Sequence, residues 1–229
     1  MSTVSATALE TQPLLIDAAV AAGVKRFIPS EFGSCTTSPK VAKLPVYSSM
    51  FKIKQYLEEQ ATTGKLTWTV LACGAFMEFI FAHPVLLDFA NHKTVLYDKG
   101  DNRISSTSLS NIGKAVAGIF QHFEATKNRV VRVSEVILTQ NQLLKVAQKL
   151  QPSVKWEISE IQTTTMLQES LEELGAGNFG EQVVLKLIKA TAFGGDAYGT
   201  AYDETDNKLL EIKELTDDDL EKRVAEALK

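Results

Sequence analysis

The chain has 229 residues, 45% hydrophobic and 23% charged, enough apolar material to bury a sizeable core as one large domain or two small ones. Its formal net charge of −4 at pH 7 offers no attraction to phosphate backbones or anionic lipid, so neither nucleic acid nor a membrane surface is an expected partner. Cys35 and Cys73 stand far apart and outside any CxxC or Cys/His cluster, which argues against a disulfide framework and a zinc site and for two reduced thiols.

Met1 to Thr7 lacks the basic start and apolar run of a signal peptide, which makes the cytoplasm the expected location. From Leu9 to Ala22 the positions Leu14, Leu15, Ala18, Ala19 and Ala22 recur at helical spacing, and Gly23 supplies the stop. Val24 to Gly33 has a short apolar core bounded by Pro29 and Gly33, the pattern of a buried parallel strand. A Ser/Thr/Pro-rich loop, Ser34 to Pro45, leads to a helix over Tyr47 to Gln60, and Leu66 to Cys73 reads as the next strand, with Gly74 at its exit. Alternating helix and strand points to a parallel sheet with helical crossovers.

Further on, Ala75 to Ala90 is apolar but carries Glu78, His83, Pro84 and Asp88, too polar for a membrane span. Thr94 to Tyr97 and Arg103 to Thr107 read as short strands, Asn111 to Phe123 as a helix and Val130 to Leu138 as one strand. Thr139 to Gln142 has capping-box form ahead of a Leu143 to Leu150 helix, and Val154 to Ile161 reads as a strand. An acidic helix starts near Thr216, with Asp217, Asp218 and Asp219 placed to meet its positive end. His83, His92 and His122 share no metal-ligand spacing, and no metal is expected. The run Gly175-Ala176-Gly177-Asn178-Phe179-Gly180 matches GxGxxG, yet Leu171 to Leu174 before it looks helical, so an interhelical turn is expected rather than a phosphate loop.

Three stretches, in this order, resemble the isoflavone-reductase-like branch of the NmrA family of atypical short-chain dehydrogenases. They are Leu15-Ile16-Asp17-Ala18-Ala19 through Ala22-Gly23-Val24-Lys25-Arg26-Phe27-Ile28-Pro29-Ser30-Glu31-Phe32-Gly33; Phe51-Lys52-Ile53-Lys54-Gln55-Tyr56-Leu57-Glu58; and Gly100 to Thr107 with Asn111 to Ala117. The likeness spans roughly residues 1 to 150. It implies an α/β fold: a partial NAD(P)-binding Rossmann-type parallel sheet with a smaller α+β substrate domain. Residues 1–78 would form the C-terminal half of the nucleotide-binding domain, and 79–229 mainly the substrate-binding part, with some strands returning to the sheet.

The resemblance also implies an NADP-dependent oxidoreductase reducing a small aromatic or conjugated molecule. Lys54, three residues after Phe51, takes the family's catalytic position; the rival for it is a solvated lysine on an amphipathic helix. Lysine can move a proton there if burial and a cationic neighbour favour its neutral form. Ligands of open α/β sheets bind beyond the carboxyl ends of the strands. The expected NADP(H)-binding residues are therefore Thr3, Pro29, Ser30, Phe32, Lys54, Gly74 and Phe76. For Phe32 and Phe76 ordinary core packing competes evenly with ligand contact, and Glu31, a candidate for a simple salt bridge, is left out of catalysis. Tyr47 has no lysine four residues on and reads as a packing residue.

Family members begin with a strand and a GxxGxxG turn, and nothing here upstream of Leu14 matches them. Either the chain is a fragment, the favoured reading, or it is a variant lacking half of its sheet. Impaired activity, weak cofactor binding and an unpaired sheet edge near Ser2-Thr3 that promotes dimerisation or aggregation are the expected consequences. The rival function is a non-catalytic NAD(P)-sensing regulator of the same family.

Overall fold

A computed structural model describes residues 1–229, apart from the side chains of Ala6 and Thr7. Helix α1 (Gln12–Ala21) begins three residues later than its apolar periodicity suggests. Pro13 sets that start, because its missing N–H and its ring are tolerated only in a helix's first turn. Strand β1 (Arg26–Phe27) pairs in parallel with β2 (Thr67–Ala72) in the register Arg26–Thr67 and Phe27–Trp68. Only these two residues of the expected Val24 to Gly33 strand are laddered, since Pro29 has no N–H to continue the pairing. Between them, α2 (Ser48–Thr62) makes the crossover. Near the amino terminus a single main-chain bond, Ser2 N to Ile28 O at 2.8 Å, ties the chain beside β1, and no strand forms at Ser2-Thr3.

Past β2 the chain turns at Gly74 into β3 (Ala75–Phe76) and then α3 (Met77–Ala82). Gly74 sits at φ +70°, and a Cβ on it would lie 2.2 Å from the Ser105 carbonyl oxygen, so this turn admits only glycine. Gly74→Ala is expected to lower stability by about 2–4 kcal/mol in denaturant titration; a loss below about 1 kcal/mol would mean that the close approach is easily relieved.

Strand β4 (Lys93–Tyr97) pairs in parallel with β8 (Glu157–Ile161), outside the main sheet. Strand β5 (Ile104–Thr107) lies parallel to β3, and α4 (Leu109–Gln121) follows, its first turn capped by the Ser108 hydroxyl, which accepts from Asn111 N at 3.3 Å. The expected single strand from Val130 to Leu138 is two. β6 (Arg129–Arg132) returns to the main sheet beside β2, while β7 (Val136–Leu138) runs antiparallel to β5. Ser134 and Glu135 force the break: both are buried, Ser134 is held by Asn207, and the Glu135 carboxylate accepts from Ser108 N at the start of α4.

Of the expected capping box at Thr139 one limb forms: the Thr139 hydroxyl accepts from Gln142 N at 3.1 Å, opening α5 (Gln140–Leu150). Helices α6 (Thr163–Gly175) and α7 (Glu181–Ala192) pack on each other, and α8 (Asp217–Ala227) has a complete capping box between Thr216 and Asp219.

Two apolar clusters sandwich the main sheet. Ile16, Phe27, Ile53, Leu57, Leu66, Trp68 and Val70 join α1 and α2 to one face. Ile28, Leu71, Cys73, Ile112, Ile119, Val131 and Leu210 join α4 and the C-terminal loop to the other. Alternate residues of β2, Trp68 and Val70 against Leu71, serve opposite faces as strand geometry requires. Helices on both faces of a parallel sheet make this the expected α/β class.

Candidate functional site at the strand ends

Beyond β1 the chain leaves the sheet as Pro29-Ser30-Glu31-Phe32-Gly33, and each residue from Ser30 to Gly33 is held separately. Gln12, fully buried on α1, accepts from Ser30 N at 2.7 Å and donates to Ser30 O at 3.3 Å; the Ser30 hydroxyl donates to Val4 O at 2.9 Å. Phe32 takes a left-handed backbone, φ +45°, and its carbonyl accepts from the Cys73 thiol at 3.2 Å. The Tyr202 hydroxyl reaches the carbonyls of Ser34 at 2.5 Å and Gly33 at 3.2 Å. The Glu31 carboxylate accepts from the Thr36 hydroxyl and from Gly33 N at 3.1 Å. A Cβ on Gly33 would sit 2.3 Å from the Thr36 hydroxyl oxygen and 2.8 Å from Glu31 Oε1, so a larger residue would have to push these two side chains aside. Loop residues pinned at this many points lose little entropy when they meet a ligand.

This loop and α2 enclose a narrow, mostly apolar cleft of about 20 Å³ whose lining includes Pro29, Ser30, Glu31, Phe51 and Lys54. Three of the expected residues, Pro29, Ser30 and Lys54, therefore meet in one place. Lys54 is half-buried; its Nζ lies 2.5 Å from Glu58 Oε1 and 5.4 Å from the centroid of the Trp68 ring. Lys52, on the same helix, is exposed. Phe32 and Phe76 pack instead against the Ile28, Leu71 and Cys73 cluster, and buried Gly74 faces Ser105, on the other side of the strand tips. Thr3 is exposed, next to the Ser2–Ile28 bond that ties its segment to the end of β1.

Glu31 forms no salt bridge with any described residue, contrary to the simplest reading of it. Although the residue as a whole is only half-buried, its Oε2 is sealed from solvent and has no hydrogen-bond partner. Burial pushes this carboxyl up to about 7, against the Thr36 and Gly33 bonds that pull it down. Burial likewise pushes the Cys73 thiol and the Tyr202 phenol up, so both stay neutral near pH 7. The buried Tyr47 hydroxyl bonds Thr191 Oγ1 at 2.6 Å, and burial pushes it up too, which suits packing at the start of α2 rather than proton donation.

No spacing signal distinguishes Gln12, Thr36 and Tyr202. They reach the loop from 18, 5 and 168 residues away, as the Gln12–Ser30, Thr36–Glu31 and Tyr202–Ser34 bonds require. Gly175 to Gly180 forms the turn between α6 and α7, with Gly177 at φ +85°. No group of His, Cys, Asp and Glu able to hold a metal ion occurs among the described residues, and no helix among them is long and apolar enough to cross a membrane. A roomier cleft, about 270 Å³, opens beside β4 and β8, but none of the strand-end residues lines it and its Lys93–Glu157 pair is exposed.

The residue pattern of the NmrA-like family matches residues 1–222. Oxidoreductase aprR of Aspergillus flavus is 28% identical over 216 residues, which cover 93% of this chain and 71% of that protein. Leucoanthocyanidin reductase of Vitis vinifera, solved as a complex with NADPH, superposes with a TM-score of 0.72 at 20% identity over 99% of this chain and 74% of that one. An NADPH-dependent quinone oxidoreductase of Escherichia coli does so with a TM-score of 0.65 at 17% identity, over 100% of this chain and 82% of that one. At these identities the structural likeness establishes the fold.

Proposed function

The chain belongs to the NmrA-like family, and from that premise we propose that it is an NADPH-dependent reductase of a small conjugated molecule such as an enone or quinone. The observation that carries this reading is the meeting of Lys54 with the carboxyl end of β1 in one cleft, where an open α/β sheet places its ligand. The names of similar proteins support the cofactor and the substrate class: an oxidoreductase, an NADPH complex and a quinone reductase. Residues 1–78 would hold the nicotinamide side and the later residues would cover the substrate.

The residues present fit the nicotinamide end of such a cofactor: a rigid loop at the strand tip, a lysine, and a buried carboxyl oxygen left without a partner. Pro29, Ser30 and Lys54 would border that end, Thr3 the segment beside it, and Phe32, Gly74 and Phe76 the adjoining strand tips. When bound, the dihydronicotinamide supplies hydride to an electrophilic carbon. Lys54 then gives a proton to the oxygen or carbon that gains negative charge, while Glu58 and the face of Trp68 hold its ammonium in place.

Loss of nicotinamide absorbance on mixing the chain with NADPH and either 1,4-naphthoquinone or an enone panel is the test. Turnover is expected, whereas NADPH binding without turnover would sink the reductase reading and support a dinucleotide-sensing regulator. The pyrophosphate end is less well served. Among the described residues no glycine-rich turn joins a strand to a helix of the length that makes a phosphate site. These residues by themselves are therefore expected to bind NADPH weakly in a titration followed by nicotinamide fluorescence. Binding at about 1 μM, worth about 8 kcal/mol, would show that they hold a pyrophosphate site of another kind.

A further inference from the structure

One carboxyl oxygen of Glu31 is bonded twice and the other not at all. Oε1 accepts from the Thr36 hydroxyl and the Gly33 N–H, while Oε2 is buried and unpartnered among the described residues. An ionised carboxylate with an empty buried oxygen carries an uncompensated desolvation cost. Burial favours the neutral acid, with Oε1 as the accepting carbonyl and Oε2 carrying a proton that meets no acceptor among the described residues. Ser30, the nearest polar neighbour in the chain, bonds Gln12 and Val4 and makes no bond to Oε2. What does share the cleft is Lys54, and the volume of about 20 Å³ between its walls is room for one water-sized bridge.

We propose that Glu31 is a second proton-exchanging group of this cleft, a positioning residue that resupplies Lys54. After the Lys54 ammonium has given up a proton, the Oε2–H bond of Glu31 breaks and an N–H bond forms on the Lys54 amine. Because Oε2 itself is sealed, the carboxylate left on Glu31 regains its proton from solvent through the water-sized space of the cleft. Atoms and charge balance without any further reactant. The role rests on Lys54 acting as the proton donor of the reductase proposed above.

Cys73 at the end of β2 and Tyr202 in the C-terminal loop interact electrostatically with Glu31, and Lys54 of α2 lines the same cleft. Burial keeps Cys73 and Tyr202 protonated, so neither brings a charge to Glu31, and the Lys54 ammonium is the one cationic group among the described residues lining the cleft. With its carboxyl at about 7 rather than the ordinary 4.5, Glu31 binds its proton more tightly when folded than unfolded. The stability it contributes is complete below pH 4.5 and is lost as pH rises through about 7.

Carbon-13 NMR of the chain labelled at the glutamate δ-carbon tests the proposal without requiring activity. One carboxyl is expected to titrate near 7 and to be missing in Glu31→Gln, which keeps an oxygen for Thr36 and Gly33. In Lys54→Ala its midpoint should rise by about half a unit or more, because a charge favouring the carboxylate is gone. Glutamates that all titrate below about 5.5, or a midpoint that Lys54→Ala leaves in place, would overturn the proposal. With NADPH and 1,4-naphthoquinone, Glu31→Gln should lower kcat about tenfold and flatten its pH limb near neutrality without raising KM. A profile superimposable on wild type overturns the proposal as well. Wild-type chain that turns over no quinone or enone, yet shows the coupled carboxyl, overturns the Lys54 mechanism and supports proton exchange between the two groups.

Discussion

Lys54→Ala is expected to remove most NADPH-dependent turnover, by about a hundredfold or more, with NADPH affinity held within about tenfold, or about 1.4 kcal/mol. The asymmetry follows from what the side chain touches. Its Nζ is committed to Glu58 and to the Trp68 face at one wall of the cleft, while the loop groups at the opposite wall are held by Gln12, Thr36 and Tyr202, none of which depends on it. Losing the lysine should therefore remove a proton donor and leave the strand-end loop standing. The Lys54–Glu58 pair is itself partly exposed and contributes under about 1 kcal/mol to folding, so a stability change cannot mimic the kinetic one. Lys52→Ala is the control: that side chain is exposed, about 200° around the helix from Lys54, and should be nearly silent. Unchanged turnover in Lys54→Ala removes this residue from the mechanism, and a reversed ranking of the two lysines would place the reacting face elsewhere on α2.

The largest expected loss of stability comes from Arg26. The residue is only 4% exposed, at the start of β1, yet the guanidinium has no carboxylate within ion-pairing distance among the described residues. Instead Nε donates to Thr67 Oγ1 at 2.7 Å, Nη1 to Thr69 Oγ1 at 2.8 Å and Thr126 Oγ1 at 3.1 Å, and Nη2 to Phe123 O at 2.6 Å. Its carbon also lies 4.1 Å from the centroid of the Phe123 ring. These contacts tie β1 and β2 to the segment after α4. Arg26→Ala empties that volume and leaves a buried carbonyl and three hydroxyl acceptors unfilled, at a cost of about 3–5 kcal/mol. Arg26→Met, which restores much of the volume but none of the donors, should recover about 1–2 kcal/mol of this. Urea titration measures both, and a loss under about 1 kcal/mol for Arg26→Ala would show that the network gives no more than the exposed pairs do.

Local chemistry determined much of this protein by itself. The alternation of apolar helix and strand from Leu9 to Cys73 was enough for an α/β parallel sheet, because periods of 3.6 and 2 are written into the chain wherever one face is buried. The Asp-rich start of α8 and the turn from Gly175 to Gly180 were legible for the same reason, each being settled within a few residues. Lys54 could be named because a resemblance aligned it, and the apolar run that stops at Pro29 put Pro29 and Ser30 at a strand's carboxyl end; the fold then placed all three on one cleft. Tertiary structure alone decided the rest. Val130 to Leu138 reads as a continuous strand by propensity, but buried Ser134 and Glu135 answer to Asn207 and Ser108, and these distant partners break it in two. Arg26 looked like one residue of a strand with an apolar core until threonines 41, 43 and 100 residues away supplied acceptors. Glu31 looked like half of a surface ion pair, and only the packing of Thr36, Cys73 and Tyr202 around it makes it a buried acid. A sequence records which groups can donate, accept or ionise; whether a charge is paid out to water or sealed away depends on the dielectric and the neighbours that the fold assembles.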